Sequence, residues 1–507
     1  MKIYITAVDE NYVRVLTDDP GIARQIDIQF SYKVPGHEFT SAYRNHRWDG
    51  RKHLYNARNG MFPFGLLPYL FKYANKEGID IEIDEEVKGL RIDLSKELEE
   101  FCNNIQLYTK YSVDGQYEYQ LNLVKDSIKY NKTLCLSPTG SGKSHIIYLL
   151  TRFYLNTFDD ARILICVPSV SLTEQMQKDF DAYTADGIMF EEYGQKIRQG
   201  FTKEIYSPVT ISTWQSIYKQ PKEYFDQFNV FICDEVHKAT AECLEGIIKK
   251  MGDCKFKHGF TGTLSGTKVH EMQLKGWFGP LCKYTDSKAL MEDNTLAPLT
   301  IDAIELKYSE EFCIENAGKM WAYPLEIDLL VSNQQRNEFI CKLAANTKGN
   351  VLVLFNFIER HGHILRDMCN HYGPLKGKEV YYVDGSTKAE ERERIRDLAE
   401  KKDNLIILAS YGVFSTGINI RNLPTAIFAH PIKSKIRTLQ SIGRILRKCA
   451  GKKGAKLIDI GDNLCYTKRH KENYSLRHFN QRLEIYENER FDYKKFQIAM
   501  KDGLRRN

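Results

Sequence analysis

The chain has 507 residues, of which 42% are hydrophobic and 27% charged, and its formal net charge is +6 at pH 7. This length predicts three or four domains of roughly 100–200 residues each. No apolar run approaches the about 18 residues of a membrane helix, and the first residues alternate as a strand does, so we expect neither a membrane protein nor a secreted one. The 12 cysteines lie singly in apolar segments and form no C-x-x-C pairs, which favours reduced thiols in a cytoplasm.

Residues 1–110 are predicted to form a small α+β module. Strands are predicted at 2–6, 13–16 and 26–28, and a helix at 66–77 should end at Gly78. In the segment 43–58, basic and aromatic residues are interleaved with a single acid, Asp49. This mixture suits a phosphate backbone and stacked bases, although a solvated basic loop held by a core tryptophan would have the same composition. The candidate DNA-binding residues are Arg44, Arg47, Trp48, Arg51 and Lys52.

A glycine-rich stretch at 137–144 (SPTGSGKS) lies between an apolar run and an amphipathic helical pattern, as a phosphate-binding P-loop requires. Gly140 and Gly142 allow the backbone to turn its N–H groups inward, and the helix N-terminus adds partial positive charge. Lys143 would reach the β- and γ-phosphates and Ser144 would bind Mg²⁺, so ATP and Mg²⁺ are the predicted cofactors. Ser137 replaces the usual first glycine, and a plain Gly/Ser turn is the alternative. The predicted nucleotide contacts are Pro138, Thr139, Gly140, Ser141, Gly142, Lys143 and Ser144.

Two α/β halves are predicted in tandem, at 111–295 and 296–465, followed by a charged helical tail at 466–507. Strands alternate with helical patterns in both halves, which favours doubly wound parallel sheets. Only the first half carries a P-loop, so we expect an ATP site in the cleft between the halves. The predicted strands are 133–136, 163–167, 209–212, 230–233 and 259–261, then 299–304, 351–355, 380–383, 405–409, 425–429 and 457–459.

The strand at 230–233 ends in Asp234-Glu235-Val236-His237. Parallel α/β sheets place catalytic groups at the carboxyl ends of their strands. Asp234 would hold Mg²⁺, mostly through water, and Glu235 would orient and deprotonate the attacking water. The alternative is a surface acidic turn that caps a helix.

A P-loop followed by Asp-Glu-x-His resembles the motor core of superfamily 2 helicases, and further stretches resemble that family's motifs in order. By this resemblance Gln120 would recognise adenine. The stretches at 167–175 and 212–216 would contact a DNA strand through Ser169, Thr213 and Trp214. The Thr-Gly-Thr at 261–263 would couple the ATP site to the nucleic-acid groove. The coupling residues implied are His237, Thr261 and Thr263.

The second half carries matching stretches at 354–356, 410–419 and 440–447. In the middle one, Thr416 would grip the strand and Gly417 would contact the nucleotide, while Asn419 replaces the aspartate of many members. The last one fits Q-x-x-G-R-x-x-R. Its predicted catalytic residues are Gln440, Arg444 and Arg447; the two arginines are three apart, so one helix face could direct both toward the γ-phosphate.

A closer resemblance covers nearly the whole chain, including loops with no general motor role. Arg47-Trp48-Asp49-Gly50-Arg51, Pro63-Phe64-Gly65-Leu66, Leu290-Met291-Glu292-Asp293 and Lys433-Ser434-Lys435-Ile436 resemble the bacteriophage UvsW-type recombination helicases of the RecG-like branch. This implies two tandem RecA-like domains with a DNA-gripping N-terminal module and a single strand in the motor groove.

The same resemblance implies ATP-driven unwinding and branch migration of Holliday junctions, forks and D- or R-loops. It also suggests recombination or single-strand-binding proteins as partners, no membrane, and the host cytoplasm if the protein is phage-encoded. Three alternatives stay open: an RNA helicase, a duplex translocase serving a nuclease, and a DNA-binding scaffold with a relic ATPase.

Overall fold

The computed structural model describes residues 2–198, 202–239, 241–264, 267–320, 322–416, 420–449, 451–465 and 472–500. The chain folds into two compact units, one formed by residues 1–138 and 142–285 and the other by residues 139–141 and 286–507. Within the described ranges, no helix is both long enough and apolar enough to cross a membrane.

The N-terminal part of the first unit is an α+β module around a four-stranded sheet with the order β5-β2-β1-β6. Strand β1 pairs antiparallel with β2 and parallel with β6, and β3 and β4 form a separate antiparallel pair. Its elements are β1 Lys2–Ala7, β2 Tyr12–Leu16, α1 Pro20–Gln29, β3 Ser31–Lys33, α2 Ser41–Arg44, β4 Arg51–His53, β5 Met61–Pro63, α3 Leu67–Glu77, β6 Asp80–Ile83 and α4 Glu85–Gly89. Helix α5 Ser95–Asn103 follows, and its Phe101 lies in the apolar core of the next sheet.

The strand predicted at 26–28 is wrong, because these residues lie in helix α1. Asp19 caps that helix by accepting a hydrogen bond from the Gly21 N–H at 2.7 Å, and Pro20 supplies a favourable first residue. Ile22 and Ile26 are four residues apart and both are buried. The capping signal and the helical spacing therefore outweigh the β-branched residues that suggested a strand.

The module is packed closely on the rest of the first unit. Glu10 and Lys132 form a buried ion pair with 2.6 Å between Oε2 and Nζ. The side-chain amide of Asn11 donates to the carbonyl of Ile248 at 2.8 Å. A Cβ on Gly65 would lie 2.2 Å from the Lys275 carbonyl oxygen. Only glycine therefore lets the backbone of the module come this close to the helix that contains Lys275. The module is thus fixed by charge, hydrogen bonding and close packing.

The remainder of the first unit is a seven-stranded sheet with the order β13-β7-β12-β11-β8-β10-β9, and every neighbouring pair is parallel. Apolar side chains form a core on each face, as doubly wound sheets require. The elements are α6 Glu118–Tyr130, β7 Lys132–Leu136, α7 Lys143–Thr157, β8 Ile163–Val167, α8 Val170–Tyr183, α9 Phe190–Tyr193, β9 Gly194–Ile197, β10 Val209–Thr213, α10 Trp214–Ile217, α11 Lys222–Phe225, β11 Val230–Cys233, α12 Ala241–Lys250, β12 Phe256–Thr261, α13 Lys268–Phe278 and β13 Leu281–Cys282.

The second unit is another seven-stranded parallel sheet, with the order β16-β17-β15-β18-β19-β14-β20. The predicted pair of tandem RecA-like sheets is therefore confirmed. The elements are α14 Ser287–Glu292, β14 Leu299–Lys307, α15 Glu310–Glu315, α16 Tyr323–Ser332, α17 Gln334–Asn346, β15 Val351–Phe355, α18 His363–Tyr372, β16 Glu379–Val383, α19 Ala389–Lys401, β17 Leu405–Ser410, α20 Tyr411–Thr416, β18 Thr425–Phe428, α21 Lys435–Ile445, β19 Ala455–Asn463, α22 Tyr474–Asn488 and β20 Tyr493–Ala499.

The C-terminal tail contains the expected helix, α22, and also a strand that its helical spacing did not predict. Strand β20 pairs in parallel with β14, from Ile301 opposite Tyr493 to Lys307 opposite Ala499. The tail therefore completes the second sheet instead of standing apart from it.

Strand β19 carries two buried aspartates, each paired with a buried arginine. Asp459 accepts from Nη2 of Arg482 at 2.7 Å and from the Tyr486 hydroxyl at 2.8 Å. Asp462 accepts from Nε and Nη2 of Arg336 at 2.8 and 2.9 Å. All four charged side chains are 0% exposed. Because each charge is paired, these contacts hold β19 against α22 and α17.

Replacing Asp459 with alanine should lower the free energy of unfolding by about 3–5 kcal/mol, because the Arg482 guanidinium would stay buried without its counter-charge. Tyr486→Phe removes one hydrogen bond to the same carboxylate and should cost only about 1 kcal/mol. Urea denaturation followed by circular dichroism measures both values. Equal losses in the two variants would contradict this account of the ion pair.

Candidate nucleotide site

Three predicted motifs emerge at one edge of the first large sheet. Strands β7, β11 and β12 are parallel, with Leu136 opposite Thr261 and Cys233 opposite Gly259. Their carboxyl ends therefore lie side by side. The P-loop follows β7, the carboxylates follow β11, and the Thr-Gly-Thr stretch begins at the last residue of β12.

The P-loop has the backbone that its glycines require. Gly140 and Gly142 have φ values of 87° and 82°, and Gly142 directly precedes α7. Within the loop, Pro138 and Ser141 are buried and Thr139 is half-buried. The Lys143 amine donates to the Ser137 carbonyl at 3.3 Å, which fixes the amine beside the loop. The segment can therefore present backbone N–H groups, a helix N-terminus and an ammonium to one anion.

Two carboxylates lie beside that ammonium. Lys143 Nζ is 3.7 Å from Glu235 Oε1. The Glu235 N–H donates to Asp234 Oδ1 at 2.9 Å, and Glu235 has a φ of 50°, a left-handed conformation that is costly for a residue with a side chain. Burial, and then the charge of Glu235, raises the pKa of Asp234 to about 7. The fold thus holds two acidic groups close together in a poorly solvated site.

A divalent cation fits this donor set. Asp234 is only 9% exposed, and a dication would stabilise its buried negative charge. Ser144, in the first turn of α7, offers a hydroxyl oxygen that lies 2.7 Å from the Tyr183 hydroxyl. Carboxylate and hydroxyl oxygens are the hard ligands that Mg²⁺ prefers.

His237 joins Glu235 to strand β12. Its Nδ1 lies 2.6 Å from Thr261 Oγ1 and 3.3 Å from Glu235 Oε2. The Thr261 hydroxyl donates to the Thr263 carbonyl at 2.8 Å, so Thr261 accepts the proton on His237 Nδ1. Burial lowers the pKa of His237 to about 4, which keeps the ring neutral near pH 7. Hydrogen bonds therefore connect the predicted coupling residues His237, Thr261 and Thr263, and His237 lies beside the Glu235 carboxylate.

Gln120 lies on α6 next to the P-loop. Its Oε1 is 2.8 Å from Nδ1 of His145, and a Cβ built on Gly142 would lie 2.5 Å from its Nε2. His145 is itself buried, and burial lowers its pKa to about 4. The carboxyl ends of β7, β11 and β12 therefore lie close to four predicted residues of this unit, namely Gln120, Lys143, Asp234 and Glu235.

The predicted strand contacts of this unit differ in accessibility. Ser169 precedes α8 and is half-buried, with its Oγ 3.0 Å from that of Ser171. Thr213 is 4% exposed, and its hydroxyl pairs with Ser216 at 2.8 Å. The prediction that Trp214 contacts DNA needs correction, because this residue is 3% exposed and packs in the apolar core on one face of the sheet. A large apolar ring beside a strand end gains more from that core than from solvent.

The N-terminal basic cluster divides into exposed and structural members. Arg44 and Arg47 are exposed. Arg51 donates through Nε and Nη2 to Ser31 at 2.9 and 2.7 Å, and the half-buried Trp48 donates its indole N–H to the Arg51 carbonyl at 2.8 Å. Lys52 lies 3.8 Å from a glutamate of α12. Arg51 and Trp48 thus stabilise the β3–β4 pair, whereas the exposed arginines are the members open to a phosphate backbone.

In the second unit, Gln440 and Arg444 lie on α21, and the Arg444 guanidinium carbon is 5.3 Å from the ring centroid of Phe414. The shared helix face predicted for Arg444 and Arg447 is wrong, because α21 ends at Ile445 and Arg447 follows it. Lys452 explains this end: its amine donates to the carbonyls of Ile445 and Arg447 at 2.5 and 2.9 Å, which satisfies groups that a longer helix would have bonded internally.

The loop after β17 is only partly described. Thr416 ends α20, and its side chain lies outside the described atoms. Gly417 and Asn419, for which sequence motifs suggested roles, are likewise outside the described residues.

Two residues at the nucleotide site were missed from sequence, His145 and Tyr183. His145 follows the P-loop by one residue, but its contact with Gln120 joins positions 25 residues apart. Tyr183 ends α8 and reaches Ser144 across 39 residues. Neither residue carries a motif signal, since a lone buried histidine or tyrosine is usual in a core.

Three protein families match successive parts of the chain. "DNA helicase UvsW, N-terminal" matches residues 2–84, "Type III restriction enzyme, res subunit" matches 99–266, and "Helicase conserved C-terminal domain" matches 335–449. In chain order, the three matches lie in the N-terminal module, in the domain of the first large sheet and in that of the second.

Individual relatives agree with this order. The chain is 34% identical over 506 residues to the ATP-dependent DNA helicase uvsW of Enterobacteria phage T4, covering 97% of this chain and 99% of that protein. The crystal structure of T4 UvsW covers 99% of this chain and 100% of its own, with 32% identity and a TM-score of 0.50. A fragment of a putative HsdR subunit from Vibrio vulnificus YJ016 shares the fold, with 17% identity, a TM-score of 0.56, and coverage of 85% of this chain and 74% of its own. The identity and coverage shared with the phage T4 protein show that the chain belongs to the UvsW family of superfamily 2 and is an ATP-dependent DNA helicase.

Proposed function

We propose that this helicase unwinds and branch-migrates branched DNA, including Holliday junctions, forks and D- or R-loops, in recombination, repair and replication restart. The similarity to the UvsW helicase over 97% of the chain is the observation that carries the proposal, because it includes the N-terminal module as well as the motor. The exposed Arg44 and Arg47 give that module a surface suited to DNA phosphates.

In this proposal, hydrolysis uses strand-end residues of the first large sheet together with residues of the second unit. Gln120 contacts adenine, residues 138–144 hold the phosphates, and Glu235 takes the proton of the attacking water. Asp234 and Ser144 would hold Mg²⁺, which would supply positive charge against the charge of the phosphates. Arg444 and Arg447 stabilise negative charge on the γ-phosphate, with Gln440 and Gly417 supporting the same reaction. The geometry among Lys143, Asp234 and Glu235 supports the first part of this assignment.

DNA is proposed to lie as a single strand along the motor, in contact with Ser169, Thr213 and Thr416, and to be gripped by the N-terminal module. The resemblance to UvsW-type helicases supports 3′-to-5′ tracking and cooperation with recombination or single-strand-binding proteins. The phage origin of the relative supports a location in the cytoplasm of an infected cell.

The proposal is tested by measuring ATP-driven unwinding of three labelled substrates with equal duplex length: a Holliday junction, a fork and a tailed linear duplex. We expect the junction and the fork to be processed at least several-fold faster than the linear duplex. Glu235→Gln protein serves as the control for ATP-independent melting. Equal rates on all three substrates would overturn the branch preference.

The same assay separates the main alternative, a duplex translocase that serves a nuclease. Such a motor would hydrolyse ATP on duplex DNA and displace a bound protein block, but it would release no strand from any of the three substrates. ATP turnover without strand release would therefore replace the proposed function with translocation.

A further inference from the structure

A buried chain of hydrogen bonds ends on Gln120. The Tyr111 N–H donates to Thr109 Oγ1 at 3.2 Å, Thr109 Oγ1 lies 2.9 Å from Nε2 of His145, and Nδ1 of His145 lies 2.8 Å from Gln120 Oε1. Thr109, His145 and Gln120 are each 5% exposed or less. Water therefore competes little with these bonds, so their direction is set by the protein.

The chemistry of the chain fixes which atom donates to Gln120. Gln120 Oε1 is a carbonyl oxygen and can only accept, so Nδ1 of His145 carries a proton and donates to it. The other ring nitrogen, Nε2, lies against Thr109 Oγ1, which holds the ring in this position. A carbonyl oxygen accepts and an amide nitrogen does not, so this donation selects the side-chain orientation in which Oε1 faces His145. Nε2 of Gln120 correspondingly faces Gly142.

The orientation of this amide matters for base choice. A glutamine can pair with adenine by accepting from the N6 amino group and donating to N7. Guanine presents acceptors at both O6 and N7, so the same fixed amide leaves one guanine acceptor facing a carbonyl oxygen.

We propose that His145, held by Thr109, is a positioning residue that locks the Gln120 amide for adenine and thereby sets the preference of the motor for ATP over GTP. This rests on the proposed contact of Gln120 with adenine and adds to it the residues that orient the contact. His145 itself touches neither substrate nor metal in this account.

The alternative is that His145 only fills the core, and the same unit offers a matched comparison. His258 on β12 is 0% exposed, against 4% for His145, and its ring bridges two hydroxyls, with Thr133 Oγ1 at 3.0 Å and the Tyr154 hydroxyl at 2.8 Å. Neither of these partners is Gln120. Removing either histidine should destabilise the protein, but only His145 should alter nucleotide preference.

The test measures kcat and KM of DNA-stimulated hydrolysis with ATP and with GTP. His145→Leu should raise the KM for ATP ~10-fold and leave the KM for GTP nearly unchanged, with kcat affected much less, since the oriented amide discriminates between the two bases. His145→Asn keeps an N–H donor near the position of Nδ1 and should restore most of the ATP preference. His258→Leu should lower the thermal midpoint and keep the preference of the wild type.

A double variant makes the test specific. In a Gln120→Ala background, His145→Leu should cause no further loss of ATP preference, because the group it orients is already absent. Should His145→Leu fail to fold, the pair Thr109→Val and Thr109→Ser tests the same chain, with loss expected only for valine.

Some outcomes would overturn the inference alone, and others would also overturn the site assignment. An unchanged ATP preference in folded His145→Leu, or equal kcat losses for both nucleotides, would make His145 a core residue only. A Gln120→Ala protein with wild-type preference would remove the adenine contact of Gln120 and, with it, the inference. Absence of ATP hydrolysis by the wild type would instead refute the proposed function.

Discussion

Glu235→Gln should lower the DNA-stimulated rate of ATP hydrolysis about 10²–10⁴-fold, because an amide cannot accept the proton of the attacking water. ATP binding should persist. The charge of Glu235 helps to raise the pKa of Asp234, so removing that charge lets Asp234 ionise more readily and retain Mg²⁺. Phosphate release measures turnover, and equilibrium binding of a fluorescent ATP analogue measures affinity.

A matched substitution separates this effect from a general loss of negative charge. Glu223 is an exposed residue of α11 in the same sheet domain. Glu223→Gln should hydrolyse ATP at the wild-type rate. If Glu235→Gln kept more than a tenth of wild-type turnover, Glu235 would not be the general base.

Lys143→Ala should lower turnover about 10²–10³-fold and weaken ATP binding, since the site would lose its positioned charge for the phosphates. The structure adds a second reason. The Lys143 ammonium lowers the pKa of Asp234, so its removal raises that pKa further and disfavours the ionised carboxylate that Mg²⁺ needs. Turnover assays and analogue binding report the two effects separately.

DNA affinity provides the internal check for this variant. Fluorescence anisotropy with a labelled fork should give nearly the wild-type dissociation constant without nucleotide, because Lys143 lies at the P-loop and not in the basic cluster of the module. Lys96→Ala, on the exposed surface of α5, should match the wild type in every assay. Normal hydrolysis by Lys143→Ala would refute the P-loop assignment.

The two large sheets could be predicted from sequence because the local pattern of apolar strands agrees with the strand arrangement of a parallel sheet. Apolar strands such as 163–167 and 230–233 occur where expected, and a parallel sheet brings the ends of β7, β11 and β12 to one edge without detailed knowledge of packing. The convergence of Lys143 with Glu235 follows from this geometry. Motif order and sheet topology were thus sufficient to predict most residues of the nucleotide site.

The errors arose where tertiary contacts decide local structure. The end of α21 before Arg447 depends on a lysine seven residues beyond Ile445, and the orientation of Trp214 depends on an apolar face built from distant helices. Strand β20 exists because β14 offers an edge to which it can pair. Patterns within a short window contain none of these partners, and the same holds for His145 and Gln120.

The close attachment of the N-terminal module has a consequence for avidity. Glu10–Lys132, the Asn11 hydrogen bond and the Gly65 contact join the basic surface near Arg47 to the P-loop unit without a flexible linker. On the proposed binding of DNA by the module, DNA would meet that unit at a fixed distance, and no linker entropy would be lost when the second contact forms. The effective concentration of a bound substrate at the second contact is then set by the shape of the substrate. Under the proposed preference for branched DNA, a branched molecule whose arms match the fixed spacing would gain both contacts together, whereas a substrate with the wrong geometry would gain only one.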